Sequence, residues 1–203
     1  MSVKPLLCVA LLATGCAATP SPAPPPPFTA TLTSPTDVVL TWPDDPAAGH
    51  RVEYANDPAG PWTTLRFLPP HTTSYHHPDL IPETPFYYRE QPFTGPVSVE
   101  TTVGAPLKPS GGGTAPAHLA LAEAKDGTLT VSWTDMSPDE AGFLLEIRRP
   151  GEQDFSPIEV TDPDTSVCSL SLLPGEQGSS YRVRALHYGP LSPVVHQTTG
   201  KQR

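Results

Sequence analysis

Positive charge is scarce in this 203-residue chain: 12 lysines and arginines stand against 21 aspartates and glutamates, for a formal net charge of −9. Only four of the cations are lysines. Nothing supplies the basic patch that neutralises phosphates, so a nucleic-acid binder is excluded. Charge-driven docking on an acidic lipid surface is excluded for the same reason. Catalytic motifs are missing too: there is no G-x-S-x-G, no H-E-x-x-H and no glycine-rich phosphate loop between a strand and a helix. The paired acids Asp44-Asp45 and Asp162-Pro163-Asp164 sit in turn-like sequence. Neither offers the spaced oxygens around a glycine that a calcium loop needs. The expectation is a protein that is not an enzyme and has no cofactor and no metal.

Proline, by contrast, is abundant, with 29 residues against an average usage of about 5%. Each interior proline breaks a helix at a cost of roughly 3 kcal/mol, which disfavours a helical fold. Prolines concentrate in 17–27, AATPSPAPPPP, where no core can form. That stretch reads as polyproline II at about 3.1 Å per residue, a semi-rigid stalk of roughly 30 Å. A second break, 105–116, combines prolines with Gly111-Gly112-Gly113 and reads as a flexible linker between two units, 28–104 and 117–199, followed by a tail, 200–203.

The N-terminus carries an address. Lys4 is a small basic n-region, Leu6 to Leu12 is a short apolar stretch, and small residues follow. This is the pattern of an export signal, not of a membrane span. Its end, Leu12-Ala13-Thr14-Gly15-Cys16, resembles the lipobox of bacterial lipoproteins, with Ala13 where that family prefers leucine. The resemblance implies removal of 1–15, diacylglycerol on the Cys16 thiol and acylation of the new amine. Ala17, in place of the aspartate that retains such proteins in the inner membrane, implies the outer membrane of the cell envelope. The alternative is an ordinary signal peptide cut near Ala18. Several acyl chains hold a protein firmly where a single chain holds it marginally. With Cys8 in the removed peptide and Cys16 lipidated, Cys168 stands alone and no disulfide forms within the chain. Its parity with Leu170 and Leu172 makes it a small core residue.

The two units repeat one another. Trp42 ends VVLTW and Trp133 ends LTVSW. Gly49-His-Arg-Val-Glu53 matches Gly142-Phe-Leu-Leu-Glu146, 93 residues on. Trp62 matches Phe155, Leu65 matches Ile158, and Leu80-Ile-Pro82 matches Leu172-Leu-Pro174. Val38, Leu40 and Trp42 alternate with outward positions, as do Leu129, Val131 and Trp133, and Tyr181, Val183 and Ala185. Period-2 alternation between turn signals predicts short strands buried on one face and an all-β sandwich in each unit. Val97, Val99, Thr101 and Val103 read as the last strand of the first unit.

These landmarks resemble fibronectin type III domains: the second-strand tryptophan, the Gly-x-x-x-Glu strand, Leu-x-Pro, and Tyr181-Arg-Val-Arg-Ala185. The resemblance implies two tandem immunoglobulin-like β-sandwiches. In the first unit Phe86 occupies the place of the family's conserved tyrosine, with Tyr87 beside it. The implied pairing sets Glu146 and Arg148 against Arg182 and Arg184, and Arg51 and Glu53 against Arg89. Cross-strand ion pairs of this kind contribute about 0.2–1 kcal/mol each, so the charges have a structural role.

Two functions follow as expectations. The first is a lipid-anchored envelope protein that contacts a protein partner as scaffold, accessory subunit or adhesin. Its edge would be 61–68, where Trp62, Leu65, Phe67 and Leu68 are broken by a single charge, Arg66. The matching stretch, Asp154 to Glu159, is blunted by two acids and a proline. Leu65 and, by parity, Phe67 would serve the core, leaving Trp62, Arg66 and Leu68 for the partner. The second is a carbohydrate-binding module that stacks glycan on exposed aromatics such as Phe67, Tyr87, Tyr88, Phe93 or Tyr188. His71, His76 and His77 are solvated loop residues in this reading, with a weak surface metal site involving Asp79 as the alternative.

Overall fold

A computed structural model of the chain describes residues 27–106 and 113–201. The export signal, Cys16 and most of the proline stalk lie outside the described residues, as does the middle of the linker. No helix among the described residues is long and apolar enough to cross a membrane.

The fold is all-β. The first half contains β1 (Thr29–Ser34), β2 (Asp37–Thr41), β3 (Gly49–Ala55), β4 (Thr63–Leu68), β5 (Ser74–His77), β6 (Pro85–Thr94) and β7 (Thr101–Thr102). The second contains β8 (Ala117–Glu123), β9 (Thr128–Thr134), β10 (Phe143–Arg148), β11 (Ser156–Thr161), β12 (Val167–Ser171), β13 (Ser180–Ala185), β14 (His187–Tyr188) and β15 (Val195–Thr198). Each sandwich packs a three-stranded sheet, β1-β2-β5 or β12-β9-β8, against a larger one, β4-β3-β6 or β11-β10-β13. Val38, Leu40, Trp42, Val52 and Tyr88 fill the first core. Leu129, Val131, Trp133, Leu145 and Val183 fill the second. Alternation therefore places both tryptophans and their strand neighbours as the sequence predicts.

The last strands do not stay with their own halves. β7 pairs with β13, Thr101 opposite Tyr181, on the second sandwich. Val97 bridges Arg184, and the Ser98 amide donates to the Val183 carbonyl at 2.8 Å. In return β14 and β15 lie along β6: Tyr188 is opposite Phe93, and Val195 is opposite Tyr88. The division at 104 and 117 must be corrected accordingly. Residues 97–102 complete the second sandwich, and 187–199 complete the first. The physical reason is that an edge strand offers only unpaired N–H and C=O groups, so either segment satisfies either edge. The two halves cross at Gly95. Its φ is +139°, and a Cβ there would meet the Ala185 carbonyl oxygen at 1.7 Å. A glycine lets the two crossing backbones touch. Residues 85–102 and 180–198 thus form one antiparallel ribbon that runs through both sandwiches.

A third, smaller core lies at the junction. Phe93, Leu144 and Leu186 are buried together, with Phe67, Val160 and Tyr188 packed on them. Leu144 explains why β10 is buried on both faces: Leu145 looks into the sandwich and Leu144 into the joint.

Candidate interaction surface

The outward faces of the two larger sheets carry charge in a fixed pattern. Glu53 lies opposite Arg89 and accepts from its Nε at 2.6 Å. Arg51 Nε is 3.5 Å from the same carboxylate. Glu146 lies opposite Arg182, accepting at 2.8 Å, with Arg184 at 3.2 Å. Both glutamates are buried, Glu146 to 1% exposure. Arg148 turns instead to Glu100 of the exchanged segment at 2.8 Å.

These guanidiniums also cover aromatic faces. Arg89 lies 4.2 Å over Trp62, Arg51 lies 4.3 Å over Tyr188, and Arg182 lies 4.1 Å over Phe155. Tyr87 stacks on His196. Tyr88 and Phe93 are buried, and Phe67 packs on Phe93 in the joint. The aromatics named for glycan stacking are thus core residues, joint residues or stacked on a neighbouring side chain.

β4 and β11 are the outer strands of their sheets, and they face each other. Between them runs an open groove of about 500 Å³, walled by Thr64 to Phe67 on one side and Ser156 to Val160 on the other, with Leu144 at its floor. Trp62 is half-buried beside this edge, and Arg66 is exposed on it. Leu68 is different: it packs against the first core. A bulge causes this. Val52 pairs with Arg66 but Glu53 pairs with Thr64, so Leu65 is the extra residue and strand parity reverses across it. Leu65 and Leu68 both reach the core, and Phe67 points into the joint. The assignment of Leu68 to the outer surface and Phe67 to the core is therefore corrected.

The three histidines part. His71 lies 3.5 Å from Asp44 and His76 lies 3.9 Å from Asp37, both exposed. His77 turns inward, and its Nδ1 is 3.2 Å from the Tyr88 hydroxyl. Burial, with the nearby His76 charge, holds its pKa below the ordinary value. An acidic group that sequence reading missed comes from two separate loops: Asp135, Glu140 and Asp164 place carboxylate oxygens within 4.8 Å of one another. Burial alone would raise the Glu140 carboxyl. Hydrogen bonds from its own amide, the Asp164 amide and the Ser137 hydroxyl, with the His187 charge, outweigh that and hold it below the usual range. Cys168 is half-buried against the second core. Burial, aided by Glu159, pushes its thiol up to about 11.

No family model matches this chain, and no curated protein matches it. Among solved structures it is similar to the FN1–FN3 domains of chicken CNTN1, at 17% identity over 87% of this chain, with a TM-score of 0.30. The chain spans 64% of the length of that structure. It is also similar to a two-domain fibronectin type III segment of chicken tenascin, at 16% identity over 87% of this chain and 99% of that one, with a TM-score of 0.31.

Proposed function

We propose that this is a non-enzymatic protein of the bacterial cell envelope, anchored by lipid on Cys16 in the outer membrane, whose double sandwich holds a protein partner. The observation that carries the reading is the groove between β4 and β11. Two sheet edges with unpaired backbone groups border one channel, and such edges bind an extended segment by adding it as a strand. Arg66 gives the channel an exposed cation, and Leu144 gives it an apolar floor. Trp62 lies under Arg89 on the outer sheet face, outside the lining of the channel. A scaffold, accessory subunit or adhesin would all work this way. The covered aromatic faces argue against the glycan alternative, which needs a free face for a sugar ring.

The test is photo-cross-linking in intact cells, with the reactive side chain at 66, at 159, or at 169 on the far sheet. One shared protein adduct from 66 and 159, absent from 169, is the expected result. Adducts from all three positions, or from 169 alone, would overturn the groove as the interface.

A further inference from the structure

One sheet edge of the second sandwich is left open. β12 is the outer strand of the sheet β12-β9-β8 and pairs with β9 on one side. The ladder runs past the strand at both ends. The Trp133 amide donates to the Ser166 carbonyl at 3.0 Å, and the Leu172 amide donates to the Gly127 carbonyl at 3.1 Å. Residues 166–172, Ser-Val-Cys-Ser-Leu-Ser-Leu, thus form one continuous edge. In an antiparallel ladder each residue turns both its backbone groups to the same side, and the side alternates along the strand. Ser166 and Leu172 turn theirs to β9, and Cys168 and Leu170 share that parity. Val167, Ser169 and Ser171 therefore turn their N–H and C=O groups outward, to the open side. Their side chains are exposed as well, Val167 to 52%.

Proteins blunt such edges with charge, proline or a covering segment. β4 carries Arg66, β11 carries Glu159 and Pro157, β5 carries His76 and His77, and β8 ends in Glu123. β1 is uncharged, but β15 lies along it, the Gln197 Nε2 donating to the Ala30 carbonyl at 2.8 Å. β12 has no such device: neither a charge nor a proline falls anywhere from Thr165 to Leu173.

We infer that β12 pairs antiparallel with β12 of a second copy of this chain, across a two-fold axis at Ser169. Charge points to this occupant. A two-fold contact sets the same surface against itself, so a charge near the axis meets its own kind. In a chain of net charge −9, an uncharged edge is where two copies can close. Register agrees. Ser169 is the centre of 166–172, so it faces Ser169 of the second copy, and Val167 faces Ser171 of the second copy. Every outward-turned residue then meets an outward-turned one, donor to acceptor. Apolar exposure agrees too: Val167 and Leu173, which is 57% exposed, come to lie against Ser171 and Thr165 of the second copy. The flanking acids Asp164 and Glu176 fall beyond the paired stretch, and Glu176 is engaged by Arg149 at 2.7 Å.

The experiment is sedimentation of the full chain from about 1 to 100 μM, carrying Cys16→Ala so that no lipid drives association. The chain should pass from monomer to dimer as concentration rises. Ser169→Lys and Ser169→Glu each place like charges together at the axis, and each alone should raise the dissociation constant about tenfold or more. Both side chains point to solvent in the monomer, so the melting temperature should hold. Mixed in equal parts, the two variants should recover the dimer as a Lys–Glu pair, an outcome that a loss of folding in either variant would not give. In the cross-linking experiment, position 169 should yield an adduct of this chain with itself, a different product from the partner adduct shared by 66 and 159. A monomer at every concentration, a dimer that either variant leaves unchanged, or a mixture that stays monomeric would overturn the assignment.

Discussion

Val195, eight residues from the end of the chain, lies opposite Tyr88 at the heart of the first sandwich. Neither sandwich is therefore complete without a segment from the other half. Thr199 strengthens this closure, its hydroxyl donating to the Ile81 carbonyl at 2.6 Å. A linker holding Gly111 to Gly113 suggests two units that unfold separately, but the ribbon joins them mechanically. The expected outcome is one cooperative transition in denaturant. Trp42→Ala and Trp133→Ala should each lower it by about 3–5 kcal/mol without splitting it. Two resolved transitions, each moved by only one of the variants, would show that the exchange does not couple the sandwiches.

Removing 187–203 separates the exchange from ordinary end fraying. The cut lies in the second half, yet the uncovered edge belongs to β6. Amide exchange should speed up along Pro85–Thr94 by more than along Ser180–Ala185, whose partner β7 remains. Loss of protection confined to β13 would contradict the pairing.

Much of this was legible in the sequence because it rests on period and charge. Trp42, Trp133 and the alternating residues around them can be buried only one way. The opposed Glu53–Arg89 and Glu146–Arg182 pairs follow from two strands in one register. The exchange was not legible, because backbone pairing carries no side-chain code: Val97 to Val103 would suit either edge. The faces of Phe67 and Leu68 were misread because the bulge at Leu65 adds one residue, and a one-residue shift reverses every side chain beyond it. Asp135, Glu140 and Asp164 converge from two loops, so no local spacing marks them.

Glu146 is the most consequential charge. It is 1% exposed and shared by Arg182 and Arg184. Glu146→Ala leaves two guanidiniums without their anion in a desolvated site. A loss of about 3–5 kcal/mol is expected from chemical denaturation, as for other broken buried pairs. Arg148→Ala breaks a pair with half-open partners and should cost under about 1 kcal/mol. Equal losses would mean that burial does not set the scale.

Alkali should weaken the fold. Burial raises the Cys168 thiol to about 11 and the Tyr181 hydroxyl to about 12, and it raises Tyr88 further. Each group holds its proton more tightly folded than unfolded. Their stabilisation is complete below the unfolded values, near 9 for the thiol and 10 for the phenols, and is lost as pH rises through the folded ones. The melting temperature should be flat from pH 7 to 8.5 and fall above 9. The thiolate fraction of Cys168 at pH 8 should be about a hundredfold below that of a free thiol, with alkylation slowed to match. A melting temperature that rises between pH 9 and 11, or fast native-state alkylation, would refute the burial argument.

The anchor rests on Leu12 to Cys16, outside the described residues, and its test is independent of the fold. Cys16→Ala removes the only thiol that the lipobox resemblance assigns to diacylglycerol. The variant should accumulate as unprocessed precursor and incorporate no labelled fatty acid. The wild-type chain should float with outer-membrane vesicles, because several acyl chains make desorption slow. Since the double sandwich begins only at Phe28, the variant should keep the melting temperature and groove cross-links of the wild type once it is exported by an ordinary signal peptide. Cleavage near Ala18 with soluble, unacylated product from the wild-type gene would instead make this a secreted protein, with its groove intact.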